Sequence, residues 1–234
     1  FLQNKTTLLL QQDDEGHQHH AIDEAPQEVE KAKNRTLQQD HAVLQEKFEK
    51  VMDGEDVKAI KWELAAVAGY YTAINAPKLL KDPRWPRTQK EGWFGHSTQN
   101  LGVDKLAHAY SAYMISELLY GRIKRNVGDA PGIELTAGAL ASGIMLWSEV
   151  FDSIEPSGGW SWEDVTFNSL GAGFSVMRNS VPGLDDKLDF RLLIEPNEDI
   201  YTVKGKEHFR QQRYLFALKL AGFEVFKKTP LKYA

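Results

Sequence analysis

The sequence predicts a mainly α protein: a bundle of about four to five helices with a small β-hairpin element near the C-terminus. Three observations carry that expectation. Residues 104–123, 133–153 and 162–179 each repeat apolar side chains at the three-to-four spacing of a helix. Two clusters of helix breakers divide them, Gly128 with Pro131 and Gly132, then Pro156-Ser157-Gly158-Gly159. Beyond Pro182 the texture turns aromatic and β-branched, with Tyr214, Phe216, Leu218 and Leu220 on one side of an alternating run.

Taken in chain order, residues 1–28 read as a flexible acidic spacer with almost no bulky apolar side chain after the first ten residues. Phe1–Leu10 is too short and too polar for an intact signal peptide, and a first residue of Phe implies a natural start further upstream. His17, His19 and His20 could hold a metal loosely or belong to a solvated tail. Residues 29–100 hold N-terminal helices and a Pro/Trp loop. Within them, 29–52 places Leu37, Val43, Leu44, Phe48 and Val51 at roughly helical spacing, which predicts an amphipathic helix that faces a partner or the surface. Val57–Ala76 starts charged, turns apolar and meets Pro77; Pro83, Trp85 and Pro86 then open a basic-aromatic loop. Residues 101–182 are the helical core. Residues 183–234 form an extension in which Arg213–Phe226 predicts one strand, Lys228-Thr229-Pro230 a turn, and the chain end a second strand. A helix over 207–221 is the competing assignment, since Phe209, Arg213, Phe216 and Leu220 also fit a helical period.

The chain of 234 residues is 42% hydrophobic and 11% aromatic, enough for one good core. A net charge of -5 argues against a general nucleic-acid binder. With no cysteine, disulfide scaffolds, thiolate metal sites and Cys nucleophiles are excluded, and no lipid-bearing Cys lies within these residues. No Walker loop, dinucleotide glycine pattern, G-x-S-x-G elbow or H-E-x-x-H occurs. The Asn34-Arg35-Thr36 sequon has meaning only in a secreted eukaryotic protein, and nothing else points to one. The apolar runs of the three core helices are shorter than the ~20 residues of a clean bilayer crossing. Their small-residue pairs, such as Gly138/Ser142 and Gly171/Ser175, allow close helix approach in water or in lipid.

Residues three and four apart share a helix face. That rule aligns Asp104, His108 and Ser111 on the first core helix. It aligns Gly138, Ser142, Met145, Glu149 and Asp152 on the second, and Asp164, Asn168, Gly171 and Ser175 on the third. If the stripes face one another, His108, Glu149, Asp152, Asp164 and Asn168 meet in a low-dielectric pocket. Such groups must be paired, share protons or bind a cation. Three readings stay open. One is a satisfied polar network that fixes helix register. The second is a divalent metal site built from His108, Glu149, Asp152 and Asp164. The third is acid–base catalysis, with burial raising Glu149. Asp104 could instead cap its helix, and Ser161 with Asp164 has capping-box spacing. Lys105 reads as a solvated or interface residue. Trp160 and Trp162 suit a lid, a membrane boundary or the core.

D-K-L-A-H (104–108), W-S-E-V-F-D-S (147–153) and G-W-S-W-E-D (159–164) resemble the YfiM-like family of outer-membrane or periplasmic lipoproteins, a family of unknown biochemical function. A fainter likeness to VanZ-like membrane proteins rests on Asp164, Asn168 and Gly171. The YfiM-like resemblance implies an envelope location in a Gram-negative bacterium, at the outer membrane or the periplasmic face. A membrane or membrane-protein partner is expected, and a structural component would use helix 29–52 and the C-terminal β element as surfaces for a complex. Two functions compete: a structural or partner-binding component, or a metal-dependent or acid–base hydrolase acting on lipid or cell-wall substrates.

Overall fold

A computed structural model describes residues 28–43, 45, 46, 49, 54–80, 82–96, 98–195 and 211–233. The chain divides into two units, Phe1–Glu49 and Lys50–Ala234. In the first, residues 28–43 form helix α1, every one of whose side chains is exposed. Leu44, Phe48 and Val51 of the expected amphipathic stripe, and His17, His19 and His20, lie outside the described residues.

The second unit is mostly helical. A short α2 (Glu55–Ala59) leads into α3 (Lys61–Asn75), which ends in a 3₁₀ turn, Ala76–Leu80, where Pro77 removes the next backbone donor. Three long helices follow: α4 (Val103–Val127), α5 (Ile133–Ile154) and α6 (Trp162–Ser180). Gly132, at φ 90°, starts α5 in a left-handed conformation that a β-branched residue would resist. The short breaker-rich links make α5 antiparallel to both neighbours, and α4, α5 and α6 pack mutually while α3 lies against α4 and α5.

The core forms where the apolar stripes meet: Ala112, Ile115, Leu119 and Ile123 of α4 against Ile133, Ala137, Ala141, Ile144 and Met145 of α5, closed by Ile60 and Ala172. Each large aliphatic side chain buried there contributes about 1.5–3 kcal/mol. Gly171 sets the α4–α6 distance. A Cβ at this position would sit 1.9 Å from the Ala109 carbonyl oxygen, so only glycine permits this approach.

The two strands at the C-terminal side pair antiparallel, but their order corrects the sequence expectation. The partner of β2 (Gln212–Leu218) is β1 (Leu188–Ile194), in register Phe190↔Phe216, and the segment past Pro230 is a 3₁₀ turn. Glu224–Lys227 forms a short helix, α7. Phe190 explains the choice. It inserts between α4 and α6, is 4% exposed, and stacks on Phe216 at 4.7 Å. The alternation of Tyr214, Phe216 and Leu218 is that of a strand, and the competing helix over 207–221 is not formed across 212–218. The Tyr201–Val203 run falls outside the described residues. Arg178 of α6 fastens the sheet by donating to the carbonyls of Leu188 and Asp185 and to Glu117 of α4.

Candidate functional site

The three polar stripes converge at the end of the helices where α4 begins, α5 ends and α6 begins. His108 Nδ1 lies 3.2 Å from Asn168 Oδ1 and 3.3 Å from Glu149 Oε1. Its Nε2 lies 3.8 Å from Asp164 Oδ2, and Asn168 Nδ2 donates to Glu149 Oε1 at 3.4 Å. On α6, Asp164, Asn168, Gly171 and Ser175 are all buried, as one helical face turned inward. Ser161 caps that helix by accepting from the Asp164 backbone N–H at 3.2 Å. The Asp164 carboxylate is thereby left free to turn inward.

Lys105 corrects the reading of it as a solvated residue. Its side chain is 1% exposed, and its ammonium donates to Glu91 at 2.9 Å, Asp104 at 3.1 Å and Asp164 at 3.1 Å. Burial alone would lower this ammonium's pKa. The bonds to Glu91, Asp164 and Asp104 outweigh that and hold it above its ordinary value. Asp104 therefore serves Lys105 and not the helix end, which Gly102 caps without a side-chain bond.

Glu91 was not visible as a site residue in the sequence. It arrives on a strap that runs beside the α5–α6 link, with Arg87 N bonded to Ser153 O, Gln89 N to Trp160 O and Trp160 N to Arg87 O. The Arg87 guanidinium donates to the carbonyls of Pro156 and Gly158 on the same link. Trp160 thus belongs to this seam, while Trp162, edge-on to it at 5.7 Å, is exposed. Trp93 and Phe94 pack on Phe167 of α6.

Asp152 does not join the cluster, contrary to its place among the candidate ligands. Its carboxylate accepts from Lys78 on the turn after α3, because one turn beyond Glu149 the α5 face has rotated past His108.

The remaining electrostatics concentrate on Glu149. It is 1% exposed, and its Oε2 has no hydrogen-bond partner among the described residues. Burial, then the charges of Asp164 and Asp152, push its pKa up to about 8, against a smaller opposing effect of the Asn168 amide. Glu91 is raised by burial as well. Four carboxyl groups (Glu91, Asp104, Glu149 and Asp164) therefore face one ammonium and one imidazole. Lys105 answers three of them; Glu149 is left to His108 and Asn168. The ligand atoms of His108, Glu149 and Asp164 all lie within 4.8 Å of one another, a spacing that one metal ion can bridge. Each comes from a different helix: α4, α5 and α6.

Residues 90–180 match the family described as "Predicted periplasmic lipoprotein (DUF2279)". The matched segment runs from the strap through α6 and contains every residue of the cluster, Glu91 included. It agrees with the YfiM-like resemblance and supports an envelope, periplasmic location for a protein of unknown function. Nothing in the comparisons supports the VanZ-like likeness. No curated protein and no solved structure matches the chain.

Proposed function

We propose that residues 90–180 form a divalent-cation-binding module of an envelope protein, with His108, Glu149 and Asp164 as its ligands. The observation that carries this reading is Glu149 Oε2, a buried carboxylate oxygen without a partner among the described residues, beside an imidazole and a second carboxylate. An isolated buried carboxylate is costly. Here its cost is offset either by a proton, as the raised pKa records, or by a cation held between the three groups. One imidazole nitrogen with carboxylate oxygens suits Zn or Mn. Three protein ligands leave a coordination position for water. Because each helix contributes one ligand, a bound ion would staple α4, α5 and α6 together, which fits a structural or partner-binding component. Lys105 and Asn168 act as positioning residues that hold Asp164 and His108 in place.

A metal-dependent or acid–base hydrolase acting on lipid or cell-wall substrates is the second reading. The observation that favours it is the 23% exposure of His108, which gives solvent a route to the site. An outer-membrane location belongs to the same proposal and is tested by membrane fractionation.

The direct test strips the purified protein with a chelator and titrates it with Zn²⁺ or Mn²⁺ by calorimetry. One cation per chain is expected, with affinity weakened at least ~10–100-fold in His108→Ala and in Glu149→Gln. Wild-type protein that takes up no stoichiometric ion, or variants that bind as tightly, would sink the reading.

A further inference from the structure

Each long helix of the Lys50–Ala234 unit contains an interval free of Asp, Glu, Lys and Arg: residues 64–77 through α3, 106–116 of α4, 135–148 of α5 and 165–177 of α6. At ~1.5 Å rise per residue these intervals are roughly 16–21 Å tall. Packing holds them level. Glu63–Arg122 and Glu117–Arg178 tie one end. Lys78–Asp152 and Lys105–Asp164 tie the other. The charges of the helices thus gather in two rims with an uncharged band between them.

The band extends to the outward faces. Tyr70 and Ile74 on α3, Leu146 and Trp147 on α5, and Leu170 and Met177 on α6 are all exposed. Since α5 packs against both α3 and α6, the three helices lie side by side, and Leu170 and Met177 border the apolar groove that α6 shares with α4 and the hairpin. A surface helix in water opposes a charged face to its apolar stripe; over these intervals α3, α5 and α6 expose no charged side chain, and the polar groups exposed on α6 are the small hydroxyls of Thr166 and Ser169. We infer that the outer faces of α3, α5 and α6 are seated in the apolar layer of a lipid bilayer without crossing it.

Three further observations select lipid as the occupant. A band of roughly 16–21 Å reaches into one leaflet of a hydrocarbon core about 30 Å thick but does not span it, and no described helix is long and apolar enough to cross a membrane. The rims carry side chains suited to a membrane–water boundary. Trp62 is 76% exposed beneath the Lys61 ammonium at 5.5 Å on one rim, and Trp85 is 92% exposed on the other. Finally, a second copy of the chain would cover one face, whereas charge is missing from the exposed sides of three helices that lie side by side, which lipid meets together. The family description, a predicted periplasmic lipoprotein, puts a bilayer within reach.

The test is flotation of the full chain with vesicles of phosphatidylethanolamine and phosphatidylglycerol. Produced as these 234 residues, which contain no cysteine, the assayed protein carries no thioether-linked lipid that could mimic the result. Wild type should float. Ile74→Glu/Leu170→Glu should partition about tenfold or more weakly, and Leu37→Glu, on α1 outside the band, should behave as wild type. If the double variant unfolds by circular dichroism, quenching of wild-type tryptophan fluorescence by brominated lipids decides the matter; strong quenching supports the inference. Wild type that stays in the lipid-free fraction without quenching overturns it. So does a stable wild-type dimer that the same two substitutions dissociate, since the band would then be an interface between copies.

Discussion

Lys105 and Glu149 are the two residues on which the electrostatics of the site turn. Lys105 donates to three carboxylates from a position closed to water, so its loss leaves buried charge uncompensated. Lys105→Met should destabilise the fold by on the order of 3–5 kcal/mol in urea denaturation. Because Glu91, Asp104 and Asp164 also lie within ligand distance of one another, added divalent cation should restore part of that loss in the variant. Glu149 acts in the opposite sense. The folded chain keeps its proton to about pH 8, while an unfolded carboxyl releases it near 4.5. The folded state therefore binds the extra proton between those values, and stability falls as pH rises from about 4.5 to about 8. At roughly 1.4 kcal/mol per pKa unit the loss is a few kcal/mol. Glu149→Gln should flatten this slope and be the more stable protein at pH 8 in the absence of metal. A variant that keeps the wild-type slope would contradict the burial argument.

At the scale of elements, the site depends on how closely α4 and α6 approach. Gly171→Ala puts a methyl group into the Ala109 carbonyl, and neither backbone can yield without separating the helices. A loss of about 1–3 kcal/mol or more is expected in thermal or urea unfolding, together with weaker cation binding, since Asp164 and Asn168 move away from His108. Arg178→Ala should loosen the hairpin instead: faster hydrogen exchange across Leu188–Ile194, with α5 protection unchanged. These contacts also explain what could be read in advance. The spacing of Asp164, Asn168, Gly171 and Ser175 showed one inward face of α6, because helical periodicity is a local property. The position of His108 on the same footing predicted its meeting with Glu149. A lysine usually stays solvated, and only the tertiary arrival of Glu91 and Asp164 makes the burial of Lys105 favourable. Glu91 sits on a strap with no period to read. The partner of β2 was hidden for a similar reason. Leu188–Ile194 reads L-D-F-R-L-L-I, whose alternation breaks at Leu192-Leu193, and residues 195–211 separate it from its partner in sequence.

At the largest scale, charge in the Lys50–Ala234 unit is distributed by height along the helices: the carboxylate-rich cluster with the Lys78–Asp152 pair at one rim, the Glu63–Arg122 and Glu117–Arg178 pairs at the other, and an uncharged band between. The cluster sits at the band's edge, where Lys105 of α4 precedes the charge-free interval and His108 lies in its first turn. The compact unit Lys50–Ala234 holds all of these features. A chain beginning at Gly54 should therefore keep the melting temperature and cation affinity of the full protein; loss of either would show that the first unit completes the site. The central claim is that His108, Glu149 and Asp164 share one ion, and X-ray absorption of the zinc-loaded full chain reads that shell directly. The expected spectrum has one imidazole nitrogen at ~2.0–2.1 Å with carboxylate oxygens at ~2.0–2.2 Å, and His108→Ala loses the imidazole signal. An all-oxygen shell, the same in wild type and in His108→Ala, would contradict it.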